Sequence, residues 1–172
     1  MHVQWSQAYT RFSTALSSES AAAINVTTDE LSAAYNAYYS ETGLTATPVC
    51  TLTVSVKNEG QRLSDVVVQV FAARLSPLTT VGALSSPLRQ LAGFSRASAL
   101  APGESRDVNV GLVPLAFCVV DGSGDQWVEP ATWSLSTSVD GVTMLNTTMV
   151  VNGIRRKVLE WPDRSSRRSN SS

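Results

Sequence analysis

The acidic residues between 121 and 129 are the first place to look for chemistry. Asp121 and Asp125 bound the stretch DGSGD, and Glu129 lies close behind. Converging carboxylates can hold a divalent cation or divide acid and base roles in a hydrolysis. This spacing lacks the ligand count of a calcium loop, and Asp-Gly beside Ser-Gly is turn chemistry, so a hairpin tip is expected. Aromatic faces bind the apolar side of sugar rings, which makes Trp127, Trp133 and Tyr38 a conceivable stacking platform. Trp133 alternates with Leu135 and is expected in the core. Trp127, beside the hairpin tip, is the candidate contact for a sugar or a neighbouring domain, with Tyr38 and Tyr9 beside it. Trp5, Trp161 and the Tyr38–Tyr39 pair are expected to be exposed where a partner domain is missing.

Other chemistries find no support. His2 is the single histidine and sits at the terminus, which removes histidine-based catalysis and histidine metal sites. Cys50 and Cys118 fall on different expected strands without metal-ligand spacing. They are read as buried free thiols, with a bridge between the sheets as the alternative in a secreted protein. No catalytic, cofactor-binding or metal-binding residue emerges. Asn-x-Ser/Thr triplets start at Asn25, Asn146 and Asn170, and Asn25 and Asn146 are the candidate glycosylation sites.

With 43% hydrophobic and only 16% charged residues, the chain can bury a sizeable core. A formal net charge of -1 gives no reason to expect nucleic acid or membrane as a partner. The cations gather late, at Arg155, Arg156, Lys157, Arg164, Arg167 and Arg168, and the Ser-rich stretch 159–172 is expected to be a disordered basic tail. No apolar run approaches the roughly 20 residues that span a bilayer. The first residues, MHVQWSQAYTRF, lack the pattern of a signal peptide.

These residues need positioning elements. Thr27 stands three residues before Glu30, a capping box, and Leu31, Ala34, Tyr35 and Tyr38 follow on one face, which predicts a helix over 27–39. From Pro48 the period becomes two. Cys50, Leu52, Val54 and Val56 alternate with Thr51, Thr53, Ser55 and Lys57, a half-buried strand closed by Asn58-Glu59-Gly60. SDVVVQVFAARL reads as a central strand, and SRDVNVGL, TWSLSTSV and MLNTTMVV continue the set. The segment 76–87 is expected to be a surface loop. In PLRQLAGFSRASALAPGES, Leu91 and Phe94 are assigned to one edge of the core, and Pro102-Gly103 to a tight turn. A buried Phe94 predicts a loss of about 3–5 kcal/mol for Phe94→Ala. Short strands with turn signals between them describe an all-β, two-sheet antiparallel sandwich with one short added helix.

The ordered motifs resemble the C-terminal fibronectin type III-like domain of glycoside hydrolase family 3, the β-xylosidases and β-glucosidases. VSVKNEG and SDVVVQVF are similar to that domain's V-x-N-x-G strand and the strand after it. PLRQLAGFSR and LAPGESRDV are similar to its P-x-x-x-L-x-G-F-x-R and L-x-P-G-E-[ST] passages, and LAFCVVDGSGDQWVEPATW to its late hairpin. YTRFSTALS resembles the strand that leads into the domain, and the Ser-Asp-Val strand with the CVVDGSGDQW hairpin leans to the β-xylosidase branch. Ala131 replaces a turn glycine of the family, which implies another turn geometry or some strain.

The resemblance implies a lead-in at 1–8, a fibronectin type III/immunoglobulin-like sandwich over 9–158 with the helix inserted at about 27–39, and the tail beyond. Such glycosidases need two carboxylates about 5 Å apart. In the family these lie on preceding domains, so none is carried over here. The implied role is a non-catalytic, stabilising accessory domain of a secreted parent enzyme. Its partners would be the parent's catalytic domains, with an oligosaccharide as a further one. The alternative is a freestanding carbohydrate- or protein-binding module.

Overall fold

The computed structural model describes residues 10–40, 47–77, 87–141 and 144–160. In chain order its elements are β1 (Phe12–Leu16), the single turn α1 (Ser18–Ala21), β2 (Ile24–Thr27), α2 (Thr28–Ser40), β3 (Cys50–Asn58), β4 (Ser64–Arg74), β5 (Gln90–Leu100) and β6 (Ser105–Leu112). A 3-10 turn (Pro114–Phe117) then leads to β7 (Val119–Val120), β8 (Gln126–Val128), β9 (Ala131–Ser138), β10 (Leu145–Asn152) and β11 (Arg156–Leu159). Tyr9, the expected lead-in 1–8, most of the expected loop 76–87 and nearly all of the expected tail lie outside the described residues.

Period-two alternation builds the sandwich. Leu52, Val54 and Val56 on β3, Val66, Val68 and Val70 on β4, Val108, Val110 and Leu112 on β6, and Trp133 and Leu135 on β9 are all buried. One layer has the strand order β1-β3-β6 and the facing layer the order β2-β10-β9-β4-β5. A third small sheet, β11-β8-β7, stands beside them. Trp133 meets Phe117 edge-on, with ring centroids 5.4 Å apart. The all-β sandwich expected from the alternation is the fold, and β4 is central, flanked by β9 and β5.

The capping box forms as the sequence implies. Thr27 N donates to Glu30 Oε2 at 2.7 Å, and Glu30 N donates to Thr27 Oγ1 at 3.2 Å. Leu31 and Tyr35 are the buried residues of the helix face. Unanticipated is β2, immediately before the helix, which pairs in parallel with β10 (Val150 opposite Asn25). The strand that leads into the helix thereby joins the five-stranded sheet, while α2 itself packs on the 3-10 turn and the small sheet.

Asn58 is the polar pivot between the layers. It is fully buried, and its side chain makes four hydrogen bonds. Nδ2 donates to the carbonyls of Arg62 (2.8 Å) and Leu100 (3.0 Å). Oδ1 accepts from Thr10 Oγ1 (2.8 Å) and Gly60 N (3.0 Å). Its backbone N–H donates to Glu104 O, and its carbonyl accepts from Gly103 N at 2.8 Å. Gly103, in the expected Pro-Gly turn, has φ of 76°. Ala131 is the first residue of β9 and does not have positive φ, so the family's glycine is not required there.

Phe94 and Leu91 correct the sequence reading. They are 67% and 46% exposed, on the outer face of β5 rather than in the core. The cause is a register shift opposite Val70 and Phe71 that sets both Ala92 and Gly93 inward. Gly93 lies so close to β6 that a Cβ there would fall 2.3 Å from the Gly111 carbonyl oxygen. The inner side of β5 therefore takes only small residues at this point, and the large ones turn out. Phe94→Ala should change stability by about 0.5 kcal/mol or less, whereas Trp133→Ala should cost about 3–5 kcal/mol. Urea unfolding of both variants checks this.

Candidate functional site

The candidate chemistry-bearing residues meet where α2 lies against the small sheet β11-β8-β7. In the β7–β8 hairpin, Val119 pairs with Trp127 and Val120 with Gln126. Asp121 organises its tip. Its Oδ1 accepts from Ser123 N at 2.9 Å and Asp125 N at 3.0 Å, while Oδ2 accepts from Trp127 Nε1 at 2.9 Å. The Trp127 bond, followed by the two backbone bonds, holds the Asp121 carboxyl below its ordinary 3.8.

Trp127 is half-buried and its ring is flanked by cations. The Arg155 guanidinium carbon lies 4.2 Å from the ring centroid and Lys157 Nζ 5.1 Å. Lys157 also hydrogen-bonds the Asp125 carboxylate, the main reason its ammonium titrates above the usual lysine range. From α2, Tyr35 Oη donates to Gln126 Oε1 at 2.7 Å and Asp29 pairs with Arg156. Between α2 and β11 runs an open groove of about 540 Å³, with Asp29, Ser32, Asn36, Arg155 and Arg156 along it. Tyr38 is half-buried on α2, its ring edge-on to Tyr39 at 5.7 Å. Tyr9, Trp5 and Trp161 lie outside the described residues.

The three carboxylates singled out in the sequence do not converge on one point. Asp121 serves its turn and Trp127, and Asp125 serves Lys157. Glu129 is buried and pairs with Arg74 Nη2 at 2.7 Å. Arg74 lies over Trp133 at 5.6 Å and donates to the carbonyls of Ser76 (2.9 Å) and Pro77 (3.0 Å). This buried ion pair has no local sequence signal, because its members come from β4 and from the segment before β9. Among the described residues no group of three or more His, Cys, Asp or Glu is placed to hold a metal ion. Cys50 and Cys118 are half-buried free thiols that burial pushes up to about 11 and about 12, well away from a reactive thiolate.

Two further surfaces stand on the outer face of the five-stranded sheet. Asn25 on β2 and Asn146 on β10 are both exposed there, Asn146 Oδ1 accepting from Ser136 Oγ at 2.7 Å. Towards the other edge, Phe94 is opposite Gln69, Leu91 opposite Phe71 and Arg96 opposite Val67, which is 40% exposed. The Arg89 guanidinium lies 4.5 Å from the Phe71 ring centroid. Sequence alternation alone did not reveal this strip, because the register shift on β5 changes which residues face out.

The strand order and facing layers are those of a two-sheet sandwich, and within it residues 66–136 match the fibronectin type III-like domain. The chain is also similar to fungal exo-1,4-β-xylosidases. It is 29% identical to xlnD of Aspergillus niger over 119 residues, which covers 69% of this chain and 14% of that protein. Against bxlB of Emericella nidulans it is 41% identical over 76 residues, covering 43% of this chain and 9% of the relative. The chain thus spans only a small part of the length of the relatives it matches.

Among solved structures, the glycoside hydrolase family 3 exo-β-xylosidase XlnD bound to a xylobiose aziridine probe superposes with a TM-score of 0.66 at 22% identity. The match covers 90% of this chain and 19% of that one. The Listeria innocua β-glucosidase in complex with glucose gives 0.62 at 19% identity, covering 88% and 17%. At these identities the superpositions establish the shared sandwich.

The Asp121 bonds fix a pH response. A carboxyl held below its ordinary value stabilises the fold fully above that value, and the contribution is lost as pH falls through the depressed one. Glu30, Asp65, Glu59 and Glu104 are depressed in the same direction by their hydrogen bonds. Stability should therefore fall below about pH 4. Asp121→Asn should be less stable than the parent chain at pH 7 and closer to it at pH 3, as measured by thermal melting at both values.

Proposed function

We propose that this chain is a non-catalytic accessory domain of a glycoside hydrolase family 3 β-xylosidase or β-glucosidase, with residues 9–158 as the domain. The observation that carries the reading is the match at 66–136 within a chain homologous to only 14% of an exo-1,4-β-xylosidase. The commitment of Asp121, Asp125 and Glu129 to structural partners agrees with it. The domain's work is mechanical: it buries surface against the catalytic domains and stabilises them. The parent reaction is hydrolysis of terminal β-linked xylose or glucose from oligosaccharides. The purified chain should cleave neither aryl-β-xylosides nor aryl-β-glucosides, and turnover abolished by changing one carboxylate here would overturn the proposal.

A second reading, an oligosaccharide-binding module, draws on the open groove near Trp127. Arg155 lies over that ring, so a sugar would have to displace it. Titration with xylobiose or cellobiose should leave tryptophan fluorescence unmoved, and quenching that Trp127→Ala removes would select the binding module.

Secretion with the parent enzyme is part of the same proposal, supported by the exposure of Asn25 and Asn146 on one sheet face. No described helix is long and apolar enough to cross a membrane. Expressed through a eukaryotic secretory route, the chain should carry glycans that peptide N-glycosidase removes, and the double variant Asn25→Gln/Asn146→Gln should lose the glycans carried at those two positions. Mass spectrometry of the two proteins decides the matter.

A further inference from the structure

The outer face of β4–β5 carries large apolar side chains that the fold itself does not use. Phe94, Leu91 and Val67 are exposed, and the register joins them into one strip, with Phe94 diagonal to both Phe71 and Val67. The outer face of β1-β3-β6 is different in kind. It shows Ser13, Thr51, Lys57, Asp107 and Asn109 to solvent. The far half of the five-stranded sheet is polar too, with Asn25, Asn146 and Asn152 exposed.

The P-x-x-x-L-x-G-F-x-R passage divides along the same line. Gly93 is held by the close approach of β6, and Ala92 O accepts from Val113 N at 2.8 Å, so the fold accounts for this corner. Leu91 and Phe94, at 46% and 67% exposed, stay outside the buried core of the domain. At the border of the strip, Arg96 pairs with Asp65, whereas Arg89 lies over the Phe71 ring with no carboxylate partner among the described residues. A buried aromatic anchor with a guanidinium at the rim is the composition of an interface centre.

We propose that this strip is the domain's docking face, and that its occupant is a surface of the catalytic portion of the longer glycosidase. That surface would be apolar at its centre and carry a carboxylate opposite Arg89. The inference rests on the accessory-domain reading and deepens it by naming the face and the chemistry of the partner. The relatives leave room for such a partner, since this chain corresponds to 14% of the length of the xylosidase xlnD. The exposed asparagines on the opposite half of the same sheet, once glycosylated, leave the β4–β5 half as the uncovered one.

The test places the photo-crosslinking residue p-benzoylphenylalanine at Phe94, and separately at Thr51 on the polar outer face, in the full protein made by its own cells. Adducts are identified by peptide sequencing. The expected result is an adduct from position 94, and not from 51, to peptides of a glycoside hydrolase catalytic region, in the same polypeptide or a separate one. Leu91→Arg should abolish it. Adducts to a second copy of this chain, or to residues 78–86 of the same molecule, would overturn the proposal. Glycosidase peptides captured from position 51 alone would overturn the docking face and leave the accessory reading standing. Capture of no glycosidase peptide at either position would overturn the docking face as well. Sedimentation of the unmodified protein as a solitary chain would then remove the accessory reading with it.

Discussion

The buried amide of Asn58 is the constraint on which the rest of the sandwich depends. A buried amide costs free energy unless both donors and both acceptor sites are used, and here all four are. Its partners belong to the approach to β1 (Thr10), the turn between β3 and β4, and the end of β5. Its backbone adds the turn between β5 and β6. One side chain thus sets where β1 joins, how β3 crosses to the other layer and how β5 returns. An apolar residue of similar size would fill the space and leave three backbone groups unpaired.

Much of this fold was legible in the sequence, and the legible parts share a cause. β3, β6 and β9 alternate strictly because one face of each is dry and the other wet, so period two is written in their residues. The capping box of α2 is a local device and was equally plain. β2 was not, because four residues with Val26 alone buried give no period, and its partner β10 is remote in sequence. The orientation of Phe94 failed for another reason. A single register shift reverses the phase of a strand, and nothing in the apolar run of β5 marks where that shift falls.

The candidate site was legible only in part. The hairpin tip followed from Asp-Gly and Ser-Gly, and the position of Trp127 beside it followed from the tip. The cations around that ring were hidden, since Arg155 and Lys157 read as the start of a solvated basic stretch. The ion pair of Arg74 with Glu129 was hidden too. Long-range pairing of a buried cation with a buried anion leaves no spacing to read. The resemblance to family 3 glycosidases supplied what periodicity could not, namely the order of the passages along the chain.

The parallel pairing of β2 with β10 has a consequence for how the molecule behaves in company. Without it, β10 would offer a ladder of unmatched amides and carbonyls at the rim of the larger sheet, the kind of template on which chains polymerise. The four-residue β2 closes that rim with a strand too short to extend the ladder far, and Asn25 on it faces water. The short strand that leads into the helix is therefore a selvedge. Length variation around it is tolerable only where those few woven residues are kept, and a version trimmed to the bare sandwich would trade a shorter chain for a tendency to form fibres.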